Sequence, residues 1–227
     1  MLGTIVNTCT IITGSTIGSV LKKGIKPKYQ DALFNSMGLA ATMLGINAVV
    51  SNMPNSNYPV LFIVSLALGS LIGHIIDINE RFDNLVGKFK KGDSRLSEGL
   101  STGILLYCIG TLSILGPVQS ALQGDNTYLF TNATLDLVTS MVLASTYGFG
   151  MILAAPVLFC WQGAIYLLAW KCGAFITPDM MTELSIVGGI LIASSGLSIL
   201  KIKEFKALNM LPSLFIPIIF LLLKGLF

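Results

Sequence analysis

The chain has 227 residues, of which 53% are apolar and 11% are charged. Soluble domains carry about 25% charged residues, so this chain has too few polar side chains to cover a water-facing surface, and we expect lipid to be most of its solvent. Its formal net charge of +3 is too small to indicate a polyanionic partner, which excludes a nucleic-acid-binding protein. Composition therefore predicts an all-α membrane protein whose main partner is the lipid bilayer.

Apolar segments follow one another along the chain, and each is close to the roughly 20 residues that a bilayer-spanning helix needs. They lie at 4–21, 32–50, 58–76, 98–116, 135–153, 155–171, 183–200 and 206–224. The fifth and sixth segments leave no loop around Pro156, so the alternative is one long kinked helix and seven spans in all. The sequence predicts a single polytopic transmembrane helix bundle over 1–227 with about eight spans.

Basic residues concentrate in three of the connections between these segments. They are Lys22, Lys23, Lys26 and Lys28, then Arg81, Lys88, Lys90, Lys91 and Arg95, then Lys201, Lys203 and Lys206. The three connections share one side of an eight-span bundle, and the positive-inside rule assigns that side to the cytoplasm and both chain termini to the outside. The middle connection, over 77–97, has apolar residues at helical spacing, which predicts an amphipathic helix on the inner leaflet or a solvated loop helix.

Short sequence matches recur in the same order in two parts of the chain. The matched pairs are 36–42 with 140–146, 59–62 with 156–159, and 103–115 with 189–200. Two adjacent units of three spans enter the membrane from opposite sides, which is the inverted repeat of many secondary transporters. We predict repeats over 30–116 and 135–202. A competing match, between 14–18 and 69–73, favours a parallel two-span unit instead.

Asp136 is the one acidic residue that these boundaries place inside a span rather than at its first position, and a charge inside a span costs about 2.5–3.5 kcal/mol on insertion scales. We therefore predict that it helps to bind a small ion or solute, together with uncharged polar groups that replace water. Those other candidates are Thr139, Ser140, Thr146, Asn35, Ser36, Thr42, Asn7, Gln162 and Asn209. The alternatives are that Asp136 caps the fifth span, that the hydroxyls bond to their own helices, and that the amides join neighbouring helices. Residues 209–212, Asn-Met-Leu-Pro, are expected to break or kink the eighth span.

Motifs of the common enzyme classes are absent from the sequence. It contains neither G-x-x-x-x-G-K-[ST] nor H-E-x-x-H, and it has 1 histidine, so ATP-driven pumping and zinc proteolysis have no visible residues to perform them. We therefore predict a protein that is not an enzyme, with no catalytic residue, no metal site and no cofactor.

Several motifs are spread along nearly the whole chain. They are Gly-Ser-x-Ile-Gly at 14–18, Gly103 through Gly110 to Gly116, Leu135-Asp136 through Thr146, Gln162-Gly163, Gly188-Gly189, and 209–212. Together they resemble the bacterial YdfK/YqgA family of polytopic inner-membrane proteins. The resemblance implies a location in the bacterial plasma membrane and assigns no substrate.

These features predict a secondary transporter of a small ion or solute that works by alternating access between inverted repeats. A homo-oligomer is expected, because short spans leave large faces of small residues to cover. The alternatives are an oligomeric channel and a non-transporting scaffold or regulatory protein. The scaffold would bind its partners through basic loop residues such as Lys88, Lys90 and Lys91.

Overall fold

A computed structural model describes residues 1–21, 25–87, 95–173 and 176–224. Within these ranges the chain forms helices, turns and connections but no strand, which confirms the prediction of an all-α protein. The α-helices are α1 (Leu2–Val20), α2 (Pro27–Asn52), α3 (Leu61–Ile76), α4 (Ile78–Gly87), α5 (Arg95–Ile109), α6 (Thr111–Gln123), α7 (Thr127–Tyr147), α8 (Ala154–Cys172), α9 (Pro178–Ile199), α10 (Ala207–Met210) and α11 (Phe215–Lys224). The 3-10 turns are Met53–Asn55, Phe149–Leu153 and Leu211–Leu214.

Several of these helices are long and apolar enough to cross a membrane. In the described part of the chain there are 4 such spans, or up to 5 if a pair of helices bent against each other counts as one span. The 4 spans are Pro27–Asn55, Phe149–Cys172, Pro178–Ile199 and Ala207–Lys224, the bent pair is Thr102–Cys108 with Thr111–Gln123, and Leu61–Ile76 is a shorter apolar helix. The protein is therefore a helical membrane protein.

The helix that forms near the fifth predicted span is displaced toward the N-terminus. We predicted 135–153, whereas α7 covers Thr127–Tyr147. An oxygen of Asp125 accepts the backbone N–H of the first residue of α7 at 2.8 Å, and the helix ends before Gly148, which has a φ of 90°. The first turns of α7 carry polar residues that lower its hydropathy, but Asn132 among them is buried and hydrogen-bonded within the protein.

α7 and α8 run in opposite directions, so the alternative of one long kinked helix is wrong. α6 and α7 form an antiparallel pair, because Gly116 lies against Leu129 just across the short connection between them. α6 in turn lies parallel to α8. The contacts that define this parallel pair are Ser113 with Gln162 and Leu122 with Gly173. The chain therefore reverses after α7, at the 3-10 turn Phe149–Leu153.

The chain divides into two compact units. Unit 1 comprises Met1–Ser36 and Phe82–Gly173, and unit 2 comprises Met37–Arg81 and Ala174–Phe227. Unit 1 therefore contains α1 and α5 to α8, and unit 2 contains most of α2 together with α3 and α9 to α11.

In unit 1, α1 packs parallel to α7 through glycines. Gly3 lies against Leu129 near the start of both helices, and Gly18 lies against Met141 toward their ends. A Cβ atom at Gly18 would overlap the carbonyl oxygen of Met141, so the two backbones come as close as the absence of a side chain permits. This contact sets the buried polar face of α1 against the middle of α7.

In unit 2, α2 packs antiparallel to α9, again through small residues. Gly45 lies against Ala193, while Gly38 lies against Leu200 near the other end of the contact. Glycine allows this approach because it has no Cβ atom to hold the helix backbones apart.

The eighth predicted span is broken, as its Asn-Met-Leu-Pro sequence indicated. α10 gives way to the 3-10 turn Leu211–Leu214 before α11 begins. Gly73 of α3 lies against the backbone of Asn209, and Gly69 lies against Ser213. α3 is therefore antiparallel to this broken segment and packs closely on the break itself.

Candidate functional site

Asp136 lies in the middle of α7 and is only 4% exposed. It does not begin the helix, so the alternative in which it caps the fifth span is wrong. The Nδ2 atom of Asn132 donates a hydrogen bond of 2.9 Å to Asp136 Oδ2. The two residues are four positions apart and therefore lie on the same face of the helix. α7 thus carries an acid and its amide donor together on its buried side.

Asn7 approaches this carboxylate from α1. Its side chain is fully buried and faces Asp136 across the contact between α1 and α7. The Thr10 hydroxyl lies 2.7 Å from the Asn7 carbonyl oxygen and 3.3 Å from Asn7 Oδ1, whereas Asn7 Nδ2 meets no strict hydrogen-bond geometry with a described residue. Asn7 thus places a second amide beside the carboxylate, in addition to Asn132.

The break between α5 and α6 lies on another side of the acid. The two helices are separated at Gly110 and bent by 44°, and no side chain caps the N-terminus of α6. Asp136 is close enough to Tyr107 and Cys108, in the last turn of α5, for its charge to act on both. The Tyr107 hydroxyl and Ser140 Oγ form a buried hydrogen bond of 2.9 Å. The N-terminus of α6 adds a positive partial charge to this region.

Asn7, Tyr107, Asn132, Asp136 and Ser140 form what we call the polar centre of unit 1. Asp136 has amide and hydroxyl neighbours, but the described residues supply no ion pair to it. A buried carboxylate is costly unless it is neutralised, paired or bound to a cation. Oxygen atoms of these types are the usual ligands of small hard cations. The polar centre can therefore accept one positive charge.

The other sequence candidates on α7 and α8 lie in different surroundings. Thr139 is buried, whereas Thr146 is exposed and its hydroxyl is 3.5 Å from the carbonyl oxygen one turn earlier. Gln162 is fully buried, and its Nε2 donates to Ser113 Oγ at 3.2 Å. Gln162 thus joins α8 to α6, in line with the alternative interpretation of the amides.

The three candidates on α2 include two exposed residues, Asn35 and Ser36, and one buried residue, Thr42. The Ser36 hydroxyl donates to the Ala32 carbonyl oxygen at 2.9 Å, and the Thr42 hydroxyl donates to that of Gly38 at 2.8 Å. Both hydroxyls therefore bond to their own helix, as the alternative interpretation of them expected.

Asn209 joins the end of α3 to the broken helix in unit 2. Its Nδ2 donates to Asp77 Oδ1 at 3.2 Å, and its Oδ1 accepts the Asn79 backbone N–H at 2.7 Å. Asp77 ends α3 with a φ of 49°, in the left-handed conformation. Both polar atoms of the Asn209 amide are occupied within the protein, and these two hydrogen bonds link the end of α3 to the broken segment.

We expect this junction to make the protein sensitive to acid. The hydrogen bond from Asn209, with further contributions from Glu80 and Lys206, lowers the pKa of Asp77. A carboxyl group whose pKa is lower when folded adds stability above its unfolded pKa and loses it as the pH falls through the folded pKa. In detergent, the thermal midpoint should therefore decrease as the pH is lowered below about 4, the usual range of the aspartate pKa. In Asn209→Ala this decrease of the midpoint should be smaller.

The exposed amide of Asn55 provides the matched control for this measurement. An Asn55→Ala variant should keep the acid sensitivity of the wild type. If Asn209→Ala keeps it as well, the hydrogen bond to Asp77 is not its source.

Sequence reasoning missed Asn132, Tyr107 and Glu183. Asn132 lies one helical turn before Asp136, and that spacing was a usable signal. Tyr107 offers no such signal, because its contact with α7 depends on how α5 packs. Glu183 stands at the first position of the predicted span 183–200, but α9 begins five residues earlier, and Glu183 is only 2% exposed. Asp136 is therefore not the only acid buried in a helix.

The chain matches a family described as "Protein of unknown function (DUF554)" over residues 2–222. It belongs to this family. It is 62% identical over 217 residues to the "Uncharacterized membrane protein YdfK" of Bacillus subtilis (strain 168), which covers 96% of this chain and 94% of that protein. It is 28% identical over 227 residues to the "Uncharacterized protein YqgA" of Escherichia coli (strain K12), which covers 94% of this chain and 93% of that protein.

The family resemblance inferred from the short motifs is therefore confirmed. The Bacillus subtilis relative is named a membrane protein, in agreement with the apolar helices of this chain. No solved structure matches the chain.

Proposed function

We propose that the protein is a secondary transporter of a small ion or solute and that Asp136 is the charged group of its binding site. The observation that carries this proposal is the polar centre of unit 1, where a buried carboxylate with an amide donor and no described ion pair lies beside a bent helix. Ionisable residues within membrane helices are rare and mark ion or substrate pathways. Interrupted helices next to such residues are typical of transporter sites.

Eight spans are part of this proposal, and the helix directions support them. In unit 1, α1 and α7 are parallel to each other, and α6 and α8 run in the opposite direction. In an eight-span chain α1 and α7 are spans 1 and 5, and α6 and α8 belong to spans 4 and 6. Odd-numbered and even-numbered spans must run in opposite directions, as these helices do. In unit 2, the two antiparallel pairs, α2 with α9 and α3 with the broken segment, match spans 2 with 7 and 3 with 8. α1 and α7 have 19 and 21 residues, enough to cross a bilayer, although buried polar residues lower their hydropathy.

The inverted repeat, over 30–116 and 135–202, is also part of the proposal. The sequence matches relate spans 2, 3 and 4 to spans 5, 6 and 7. Unit 1 contains spans 4, 5 and 6, and unit 2 contains spans 7, 2 and 3. The matches pair span 4 with span 7, span 5 with span 2 and span 6 with span 3, so each matched pair has one member in each unit. Spans 1 and 8 add one helix to each unit. Chance matches have no reason to produce this exchange, which favours the inverted repeat over the parallel two-span unit.

Flux into liposomes tests the proposed role of Asp136. Purified full-length protein is reconstituted, and the uptake of Na⁺, K⁺ and protons is followed with ion-sensitive dyes. We expect uptake of at least one of these ions, and Asp136→Asn should reduce it to the level of protein-free liposomes, because the substitution removes the formal negative charge of the polar centre while keeping the shape of the side chain.

The matched control is Asp179→Asn, which neutralises an exposed acid in the first turn of α9. This variant should transport as the wild type does. Unchanged uptake in Asp136→Asn would reject Asp136 as the site, and absence of uptake of all three ions by the wild type would reject cation transport. Uptake that does not saturate with ion concentration would favour the channel alternative over a carrier.

The proposal also includes a homo-oligomer in the bacterial plasma membrane, with both chain termini outside and no enzymatic activity. The scaffold alternative depends on Lys88, Lys90 and Lys91, which lie outside the described residues. No observation in the described part of the chain favours that alternative.

A further inference from the structure

A second buried carboxylate lies in unit 2. Glu183, in the second turn of α9, is 2% exposed. Its Oε1 atom is hydrogen-bonded to Ser56 Oγ at 2.5 Å. Its Oε2 atom is buried and has no hydrogen-bond partner among the described residues. One oxygen of this carboxylate is therefore held in place, and the other is unsatisfied.

Ser56 lies in the connection between the 3-10 turn Met53–Asn55 and α3, and a backbone hydrogen bond orients its hydroxyl toward Glu183. Ser56 Oγ accepts the backbone N–H of Tyr58 at 3.0 Å, so its hydroxyl hydrogen is free to be donated to Glu183 Oε1. The connection that carries Ser56 follows the 3-10 turn Met53–Asn55 and leads into α3. The local backbone thus positions the hydroxyl that holds the carboxylate.

Lys224, at the end of α11, is engaged by the side chain of Tyr58. Lys224 Nζ donates to the Tyr58 hydroxyl and lies 4.7 Å from the centre of the Tyr58 ring. The same ring packs edge to face on Phe220, with 5.3 Å between ring centres. Lys224 is therefore held on the aromatic pair, and the described residues form no ion pair with Glu183.

We propose that Glu183 and Ser56 form a binding site for one small monovalent cation. A buried charge without a partner is strongly unfavourable, and a cation at Oε2 would satisfy both the charge and the unsatisfied acceptor. One carboxylate supplies one negative charge. No group of three or more His, Cys, Asp or Glu residues that could hold a metal ion occurs in the described part of the chain, so the chemistry favours a monovalent over a divalent ion.

Exposed residues of the connection over 53–60 lie beside the site. Pro54, Asn55 and Asn57 are exposed, while Ser56 between them is half-buried. Glu183 is hydrogen-bonded to Ser56, so the buried carboxylate lies next to a polar, exposed part of the chain. This inference goes beyond the proposed function, because the site lies in unit 2 and does not depend on Asp136.

Thermal unfolding of the purified full-length protein in detergent tests this site. The midpoint is measured in NaCl, LiCl and KCl against choline chloride at constant ionic strength, because a cation that binds only the folded state raises the midpoint in a saturable way. We expect at least one inorganic cation to do so in the Asp136→Asn variant, in which the polar centre of unit 1 has lost its charge. Adding Glu183→Gln should abolish that shift.

The matched control is Glu204→Gln, an exposed glutamate of the same unit, which should leave the shift unchanged. Ser56→Ala keeps the carboxylate and removes its hydroxyl partner, so it should raise the cation concentration needed for half of the shift. The inference is overturned if Asp136→Asn unfolds at the same midpoint in all four salts, or if Glu183→Gln retains the shift. This experiment measures unfolding, whereas the transport proposal is tested by uptake into liposomes. The two proposals can therefore fail independently of each other.

Discussion

Replacing Asn132 with leucine is expected to lower the free energy of unfolding by about 1.5–3 kcal/mol, the usual contribution of a hydrogen bond to a charged group. The substitution removes the amide that donates to Asp136 Oδ2 and leaves the buried carboxylate with one donor fewer. Leucine has the same number and branching of side-chain heavy atoms as asparagine, so the shape of the side chain is largely kept. Denaturant titration of the purified protein in mixed micelles, followed by circular dichroism, measures this loss.

The control for this substitution is the same change in an Asp136→Leu background. There the cost should be close to zero, because replacing both partners by apolar groups leaves no polar atom unsatisfied. Asn52→Leu provides a second comparison, since that half-buried amide donates to the Ala48 carbonyl oxygen of its own helix. An equal cost of Asn132→Leu in both backgrounds would show that the pairing with Asp136 does not stabilise the protein.

Replacing Gly18 with alanine is expected to destabilise the protein by about 1–3 kcal/mol, the usual cost of overpacking a close contact. The added Cβ would overlap the carbonyl oxygen of Met141 and lie 2.9 Å from Met141 Cα. These are backbone atoms, which cannot rotate away, so α1 and α7 must separate. That separation also moves Asn7 away from Asp136, and we therefore expect uptake into liposomes to fall together with stability.

Gly163→Ala provides the control, because it makes the same chemical change in α8 of the same unit. The nearest atom to its Cβ would be Met1 Cε at 3.9 Å, an ordinary van der Waals contact. This variant should be neutral or slightly more stable, since alanine favours a helix over glycine by up to about 1 kcal/mol. Equal losses in Gly18→Ala and Gly163→Ala would mean that the contact between α1 and α7 is not tight.

Much of the helical structure is predictable from local sequence. Helices form at Leu2–Val20, close to the predicted 4–21, and at Ala154–Cys172, close to the predicted 155–171. These segments are recognised because apolar residues favour lipid whatever their neighbours are. The prediction of 135–153 failed because hydropathy scores each side chain by its type. It therefore rejected the polar start of α7, although Asn132 has a partner within the protein.

The candidate site was predictable only in part. Asp136 stands out because an acid in an apolar segment is costly and rare. Its neighbour Tyr107 is 29 residues away along the chain, and only the packing of α5 against α7 brings the two together. Glu183, like Asp136, is an acid in an apolar segment. The predicted span began five residues after the actual start of α9, so Glu183 stood at the boundary of the span and was not selected.

The sequence by itself determined that this chain is a helical membrane protein, and it identified Asp136 as a costly charge. It can do so because composition and hydropathy are sums over residues, each with its own preference for lipid or water. Only the tertiary structure decided that Asn7 and Tyr107 lie beside that acid, that Asn209 holds the end of α3, and that Glu183 is buried with Ser56. These outcomes depend on which helices approach closely, and that is set by contacts between residues far apart in the chain.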